Sequence, residues 1–266
     1  MSISELPSPM EILLDPLSFI VMGIFISLIF WEALFPARPL PKVAFWKTKG
    51  LIGFVSYMLV STYLPLLWDG FLAQFQFWSI NHWALPMQVV VGFLVYESMH
   101  YIWHRSMHAS DFLWQHIHQM HHSAERLDSF GAFWLSPLDM AGFTLVGSAA
   151  LVLVIGVSPE AATIILLALV FCAVFQHLNI RTPQWLGYLI QRPESHSHHH
   201  GKGIHRDNYA DVPWFDLLLG TFHNPISHSE NGFYQGATNR IVEMLFGRDV
   251  SEPKKPDTLI AAKETL

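Results

Sequence analysis

The stretch "VVVGFLVYESMHYIWHRSMH", residues 89–108, decides the fold of this chain. Residues 85–103 form an apolar run about as long as the ~20 residues that a membrane helix needs. Toward its end His100, His104 and His108 recur every fourth residue. On a helix that spacing aligns side chains along one face. We therefore predict a membrane helix that leaves the bilayer carrying a row of imidazoles.

The composition extends this prediction to the whole chain. The 266 residues are 52% hydrophobic and 14% charged, whereas soluble domains carry roughly 25% charged residues. Four further apolar runs occupy 17–34, 51–68, 141–157 and 161–175. The fold class predicted is an all-α integral membrane bundle of four or five spans or re-entrant helices, with a cytoplasmic histidine-rich helical cap. The net charge of −6 gives no indication of nucleic-acid binding, and the acidic start "MSISELPSPMEILLD" predicts no cleavable signal peptide.

The distribution of basic residues predicts the orientation. If all five runs span, every one of the fifteen lysines and arginines falls on one side of the membrane. The positive-inside rule assigns that side to the cytoplasm. In a rival arrangement one run is re-entrant or the short pair around Pro159 forms a shallow hairpin. Both arrangements place the histidine-rich stretches in the cytoplasm. We predict one membrane domain over 1–266, a catalytic region at about 90–225 and a polar tail at 251–266.

Three further stretches continue the histidine pattern: "HIHQMHH" at 116–122, "FQHLNI" at 175–180 and "SHSHHHGKG" at 195–203. The first and the last of these three stretches share HxxHH spacing, which we expect to converge on one face of each helix. One metal accepts about four to six donors, so nine imidazoles fit two metals better than one. Neutral imidazole suits iron, zinc, copper and nickel alike. The predicted ligands are His104, His108, His118, His121, His122, His177, His196, His199 and His200.

The remaining histidines have a plainer interpretation. A lone histidine is more often a surface group or a hydrogen-bonded polar residue than a ligand, and we interpret His82, His223 and His228 in this way. His116, His198 and His205 follow the same interpretation. His100 shares the face of His104 one turn deeper, and the spacing leaves it between a ligand and a group that orients one.

The order of these motifs resembles one family. The chain carries "YIWHRSMH" at 101–108, "HQMHHS" at 118–123, "QHLN" at 176–179, "PESHSHHH" at 193–200 and "NYADVPWFDLLLGTF" at 208–222. This series resembles the fatty acid hydroxylase and sterol desaturase superfamily of membrane histidine-box di-iron oxygenases. The chain departs from the family pattern in three places: Ala210 replaces the usual glycine, Glu97 replaces a common aspartate, and one extra residue separates Trp214 from Asp216.

The resemblance implies a cytoplasmic centre of two iron ions that uses O2 to hydroxylate or desaturate a lipid such as a sterol, a fatty acyl chain or an ether lipid. It implies an external electron donor, ferredoxin or cytochrome b5 with a reductase, because the sequence shows no nucleotide, flavin or CxxC motif. Asn179 and Asn208 are the catalytic candidates, as residues that orient ligands or hold water. Glu97, Asp128, Asp207 and Asp216 are further polar candidates near the boxes.

The pattern of histidines favours three other functions less. A metalloprotease needs a glutamate inside HExxH, whereas the first box reads His-Arg-Ser-Met-His. A zinc-dependent lipid hydrolase does not need eight or more histidines. A metal-transport or metal-binding membrane protein places its ligands, often carboxylates, near the bilayer midplane, whereas these histidines gather at run ends and in loops.

Overall fold

Helices and loops make up the computed structural model, which describes residues 6–253; within them no β-strand forms. The α-helices are α1 (Pro9–Leu13), α2 (Pro16–Leu34), α3 (Trp46–Leu72), α4 (Leu85–Ala109), α5 (Asp111–Leu113), α6 (Gln119–His122), α7 (Pro137–Ser148), α8 (Pro159–Phe175), α9 (Pro193–His199), α10 (Trp214–Leu219) and α11 (Ile241–Leu245). A π-turn, Trp114–His118, joins α5 to α6, and a second, Ala149–Val154, extends α7. Short 3₁₀ turns lie at Ala73–Phe75, Ser129–Gly131, Gln184–Tyr188 and Ala237–Asn239.

The starts of three long helices are encoded by a capping residue followed by proline. Asp15 caps α2, Ser136 caps α7 and Ser158 caps α8, and each side-chain oxygen accepts a backbone N–H of the first turn. Proline at the first helical position has no N–H to leave unpaired, and its fixed φ suits the helix. Local chemistry therefore sets where these helices enter the apolar phase.

All five predicted apolar runs are helical. Three helical segments are long and apolar enough to cross a membrane: Pro16–Leu34, Trp46–Phe75 and Pro137–Val154. Pro159–Phe175 is a shorter apolar helix, and α4 carries Glu97 and three histidines within its length. Outward-facing side chains are strongly exposed, for example Phe30 on α2 at 63% and Leu67 on α3 at 62%. An apolar exterior of this kind belongs in lipid, so the protein is an all-α membrane bundle as predicted.

Helix α3 packs closely against the segment that follows α6. A Cβ added at Gly50 would lie 2.3 Å from the carbonyl oxygen of Phe130, and one added at Gly53 would lie 2.3 Å from that of Phe133. Small residues at such positions let backbones approach. Phe25 of α2 stacks on Phe54 of α3, with ring centroids 4.3 Å apart. These contacts hold the histidine-bearing segment 111–122 over the ends of the long helices.

The basic linker between α2 and α3 lies on the same side as the histidines. Arg38 donates to Asn231 Oδ1 at 2.6 Å, to Ser197 Oγ at 3.3 Å and to the carbonyl of Ser229. Since Ser197 lies within α9, this arginine ties the linker to the last histidine box. Of the predicted polar tail, 251–253 are described and form no helix, and 254–266 lie outside the described residues.

Candidate metal centre

The structure brings all nine predicted ligands together in two neighbouring clusters. The five-histidine cluster contains His104, His108, His118, His122 and His199, and the four-histidine cluster contains His121, His177, His196 and His200. Within each cluster one ring nitrogen per residue lies within 4.8 Å of all the others. The clusters share a wall, because the rings of His122 and His200 stack with centroids 4.1 Å apart.

The spacing of each HxxHH motif predicts that its histidines converge. The structure instead divides each motif between the two clusters. His118 and His122 face the five-histidine cluster, whereas His121 faces the other. In the last box the division is reversed: His196 and His200 belong to the four-histidine cluster and His199 to the five-histidine cluster. Adjacent helical positions point about 100° apart. The middle imidazole of each motif therefore reaches the neighbouring cluster, and each box contributes to both clusters.

Opposed ring nitrogens lie at short, uniform distances. In the five-histidine cluster the Nε2–Nε2 distances are 3.0 Å for His104–His118, 3.0 Å for His104–His199 and 3.1 Å for His118–His122. In the four-histidine cluster they are 3.2 Å for His121–His177, 3.1 Å for His177–His196 and 3.1 Å for His196–His200.

The partners of the opposite ring nitrogens show that the contact between His104 and His118 is not a hydrogen bond. His104 Nδ1 lies 2.8 Å from the carbonyl oxygen of Tyr209, and His118 Nδ1 lies 2.8 Å from Asp139 Oδ2. Facing acceptors, both Nδ1 atoms carry the proton, so in neutral rings both Nε2 atoms present lone pairs. Two lone pairs 3.0 Å apart repel each other unless a cation lies between them. The donor set therefore fits a bound metal.

The spacing also indicates a coordination geometry. For a metal–nitrogen distance of about 2.1 Å, neighbouring nitrogens lie about 3.0 Å apart in an octahedron and about 3.4 Å apart in a tetrahedron. The observed range of 3.0–3.2 Å is nearer the octahedral edge. This spacing suits imidazoles that would share one metal ion in each cluster.

A loop in left-handed backbone conformation orients several rings. His205, Asp207 and Asn208 have φ of 44°, 69° and 53°, conformations that cost non-glycine residues about 1–3 kcal/mol each. The loop directs the Asp207 carbonyl to His199 Nδ1 at 2.6 Å and the His205 carbonyl to His108 Nδ1 at 2.9 Å. Such backbone acceptors fix the tautomer and aim of a ligand ring.

Burial keeps these imidazoles neutral. It lowers the pKa of His121, His122 and His199 well below the ordinary histidine value, and neighbouring histidines lower it further. The pKa of His177 falls to about 4 through burial. Because only an unprotonated ring nitrogen can bind a metal, the site is ready to take up a cation at neutral pH.

The two predicted catalytic asparagines hold backbone segments. Asn208 Nδ2 donates to the carbonyls of Ser195 and His223 at 3.0 and 2.8 Å, and its Oδ1 accepts the His223 N–H. It thereby fixes the start of α9. Asn179 Nδ2 donates to the Arg38 carbonyl at 2.7 Å, which ties the end of α8 to the basic linker. A catalytic role for either residue stays a prediction.

The other polar candidates occupy distinct positions. Asp216 accepts the N–H groups of Tyr209 and Ala210 at 2.8 and 3.1 Å, and so holds the backbone whose carbonyl orients His104. Asp128 accepts from Trp46 Nε1 at 2.7 Å, at the start of α3. Glu97 lies beside His100 in a separate group of ligand-type side chains.

Sequence reasoning missed Asp139 and underrated His205. Asp139 is fully buried in the first turn of α7 and holds His118. An acid directly before an apolar run, near the start of a membrane helix, is a signal that could have found it. The ring of His205 lies 3.1 Å from His122 Nδ1, in addition to its carbonyl contact. His198 instead stacks on His223, with centroids 3.9 Å apart, and belongs to neither cluster.

A cavity of about 370 Å³ opens from both clusters into the apolar helices. Five ligands border it: His104, His118, His121, His177 and His196. Along α3 its wall runs from Phe54 to Asp69, which is about 22 Å at 1.5 Å per residue. Phe143, Leu166 and Val170 contribute apolar walls from α7 and α8. An elongated apolar molecule could reach the ring nitrogens from within the bundle.

Comparisons with known proteins agree with this arrangement. A fatty acid hydroxylase family model matches residues 89–221, half of the chain. The very-long-chain aldehyde decarbonylase GL1-9 of Oryza sativa subsp. indica is 32% identical over 157 residues, 55% of this chain and 59% of the relative. Sphinganine C4-monooxygenase 1 of Arabidopsis thaliana is 29% identical over 144 residues, 52% of this chain and 55% of the relative.

The ornithine lipid hydroxylase OlsE of Rhizobium tropici is 30% identical over 204 residues, 71% of this chain and 60% of the relative. The chain thus spans less than two thirds of the length of each of these relatives. No solved structure matches it.

Proposed function

The chain belongs to the fatty acid hydroxylase and sterol desaturase superfamily, and on this premise we propose that it is an O2-dependent membrane monooxygenase that hydroxylates a lipid. The observation that carries the proposal is the opening of two clusters of bare Nε2 atoms into one apolar cavity. Metal and lipid chain would meet there.

Two iron ions are the proposed cofactors, one in each histidine cluster. When bound, a pair of redox-active ions supplies the O2 activation that no amino-acid side chain can perform. The chain itself contributes nine imidazoles and an apolar surround. Asp139 and the carbonyls of Tyr209, Asp207 and His205 keep the rings aimed, so loading the site requires little rearrangement.

A long-chain lipid is the proposed substrate class. The cavity follows α3 for about 22 Å and is walled mainly by aliphatic and aromatic residues. Burial of a chain in it excludes water from the reacting carbon. Relatives named sphinganine C4-monooxygenase and ornithine lipid hydroxylase act by oxygen insertion, which favours hydroxylation over desaturation for this protein.

The histidine boxes are proposed to face the cytoplasm. The basic linker packs onto the histidine side through Arg38, and Lys49 donates to Asn239 Oδ1 at 2.9 Å on the same side. Positive residues favour the cytoplasmic side of a membrane. Electrons would then come from a ferredoxin, or from cytochrome b5 with its reductase, docking on that face.

The test is product formation by the purified protein. Iron-loaded protein in detergent, supplied with a reduced ferredoxin, is incubated with sphinganine, ornithine lipid and fatty acyl lipids under isotopically labelled O2. We expect one labelled oxygen atom in the product of one lipid class, and none with His199→Ala. Bound iron without any oxygenated or desaturated product would favour the competing function, a membrane protein that binds or transports metal without redox chemistry.

A further inference from the structure

A third group of ligand-type side chains lies beside the five-histidine cluster. Glu97 and His100 on α4 and Asp211 in the loop before α10 each place one ligand atom within 4.8 Å of the others. Their exposed fractions are 0%, 7% and 3%. His100 stacks on the ligand His104, with ring centroids 5.7 Å apart, but none of the three residues belongs to either cluster.

In each carboxylate of this group, one oxygen accepts hydrogen bonds from N–H groups and the other oxygen accepts none from the described residues. Glu97 Oε2 accepts the N–H groups of Asp211 and Val212 at 3.0 and 3.2 Å. Asp211 Oδ1 accepts from Gln176 Nε2 at 2.8 Å. Held in this way, the carboxylates resemble those oriented by hydrogen bonds around a metal.

The remaining polar atoms of the three side chains lie close together. Glu97 Oε1 and His100 Nδ1 are buried and have no hydrogen-bond partner. Asp211 Oδ2 lies 3.5 Å from His100 Nδ1, too far for a hydrogen bond. Buried polar atoms without partners are uncommon and call for a ligand, an ion or a water.

Charge points to a cation. Two carboxylates are buried side by side, and no lysine or arginine in residues 6–253 forms an ion pair with either. Burying unpaired negative charge is strongly unfavourable. Glu97 and His100 also form a Glu-x-x-His pair on one helix face, a spacing that supplies a carboxylate and an imidazole to metal sites in helical bundles.

We propose that Glu97, His100 and Asp211 bind a third metal ion, a divalent transition metal such as Mn²⁺, Fe²⁺ or Zn²⁺. Two carboxylate oxygens and one imidazole nitrogen suit these ions, whereas Mg²⁺ and Ca²⁺ prefer oxygen alone. His100 and Asp211 border the cavity, so the open positions of the ion face the space proposed for the lipid. The site shares no ligand with the two clusters and does not depend on the proposed reaction.

Metal stoichiometry tests this site. Wild-type protein in detergent is stripped with chelator, reloaded with Mn²⁺, passed through a desalting column and measured by elemental analysis. Glu97→Gln and Asp211→Asn each keep an oxygen for the existing N–H donors and lose the charge. We expect each variant to bind one ion per chain fewer than wild type. Glu160→Gln, which removes an exposed carboxylate of α8, is expected to match wild type.

A second measurement needs no variant. Anomalous diffraction from Mn²⁺-loaded wild-type crystals is expected to show a peak between Glu97, His100 and Asp211, separate from any peaks in the histidine clusters. Absence of that peak, together with equal Mn²⁺ content in wild type, Glu97→Gln and Asp211→Asn, would overturn the proposal. Loss of the cluster peaks alone would count against the proposed function and leave the third site standing.

Discussion

Most of the predicted ligand rings are oriented through Nδ1, the ring nitrogen opposite the Nε2 atom that faces the cluster. The orienting group is the acceptor that contacts this Nδ1 atom. Five acceptors are backbone carbonyls, which any side chain at that position could provide: those of Tyr209, His205, Trp134, Ala173 and Asp207. Asp139 is different, because its carboxylate itself holds His118 at 2.8 Å. At this scale, therefore, Asp139 is an orienting side chain that mutation can remove directly, as is the His205 ring beside His122 Nδ1.

Asp139→Ala should weaken metal binding without removing a ligand. Losing an orienting partner typically costs 10–100-fold in metal affinity, and we expect a decrease in that range, measured by competition with a chelator. Asp139→Asn keeps an oxygen facing His118 Nδ1 and should recover most of the affinity. Equal affinity in wild type and Asp139→Ala would show that the carboxylate does not orient the ring.

His198 and His199 are neighbours with opposite expected importance. His199 lies in the five-histidine cluster, whereas His198 stacks on His223 and lies 3.4 Å from Asp207 Oδ2. His199→Ala should abolish oxygenation and reduce bound metal, and His198→Ala should retain both. Iron content and product yield of the two purified variants decide this; equal loss in both would place His198 among the ligands.

At the scale of secondary-structure elements, each HxxHH motif contributes histidines to both clusters. The pairs four residues apart, 118/122 and 196/200, stay within one cluster, and the histidine between them in each box crosses to the other. A single helix turn thus couples the two sites. The π-turn Trp114–His118 ends on His118, consistent with the association of such turns with functional sites.

Alanine at His118 and at His121 should affect different clusters, although the residues are three positions apart. We expect anomalous peaks from metal-loaded crystals to weaken in the five-histidine cluster for His118→Ala and in the four-histidine cluster for His121→Ala. Loss of the same peak in both variants would contradict the division of the box.

Docking of α3 against the segment after α6 depends on glycine. Gly53→Ala would bring a Cβ to 2.3 Å from the Phe133 carbonyl oxygen, and overpacking of this kind costs about 1–3 kcal/mol. Gly23 on α2 has nothing within 4 Å of its added Cβ, so Gly23→Ala should change stability by less than about 0.5 kcal/mol. Thermal unfolding in detergent compares the two; equal melting temperatures would show that the backbone yields.

At the scale of the whole molecule, the cavity among the apolar helices opens onto the histidine-rich cap. The cavity belongs to no single element, since α2, α3, α4, α7 and α8 all contribute to its wall. Its depth sets how much of a lipid chain can be buried beside the metals. Changes far from the histidines should therefore alter substrate choice without altering metal binding.

Gly147→Leu places a branched side chain in the cavity wall, where an added Cβ meets only Tyr96 at 3.9 Å. We expect KM for long-chain lipids to rise while bound iron stays at the wild-type value, with shorter chains affected less. Gly23→Leu, on the exposed face of α2, is the matched control. An unchanged KM for every chain length would show that the lipid does not occupy this part of the cavity.

Much of this architecture could be predicted from the amino-acid order because the signals are local. Apolar runs bounded by Asp15-Pro16, Ser136-Pro137 and Ser158-Pro159 specify helices and their starts, and histidine boxes at helical spacing predict a cap in which imidazoles cluster. Lysine and arginine positions predict the side of the membrane. These properties depend on hydrophobic length, capping and period, which a sequence displays directly.

The tertiary structure alone decided which histidine serves which cluster, because a difference of about 100° in direction acquires meaning only once neighbouring helices are in place. It also decided that Asp139 orients His118 across 21 positions and that Asp211 meets Glu97 across 114. Such pairs carry no periodic signal in the chain. They form when helices pack and buried polar groups become paired. An unpaired polar group in an apolar interior costs free energy that is large compared with the small net stability of a folded protein.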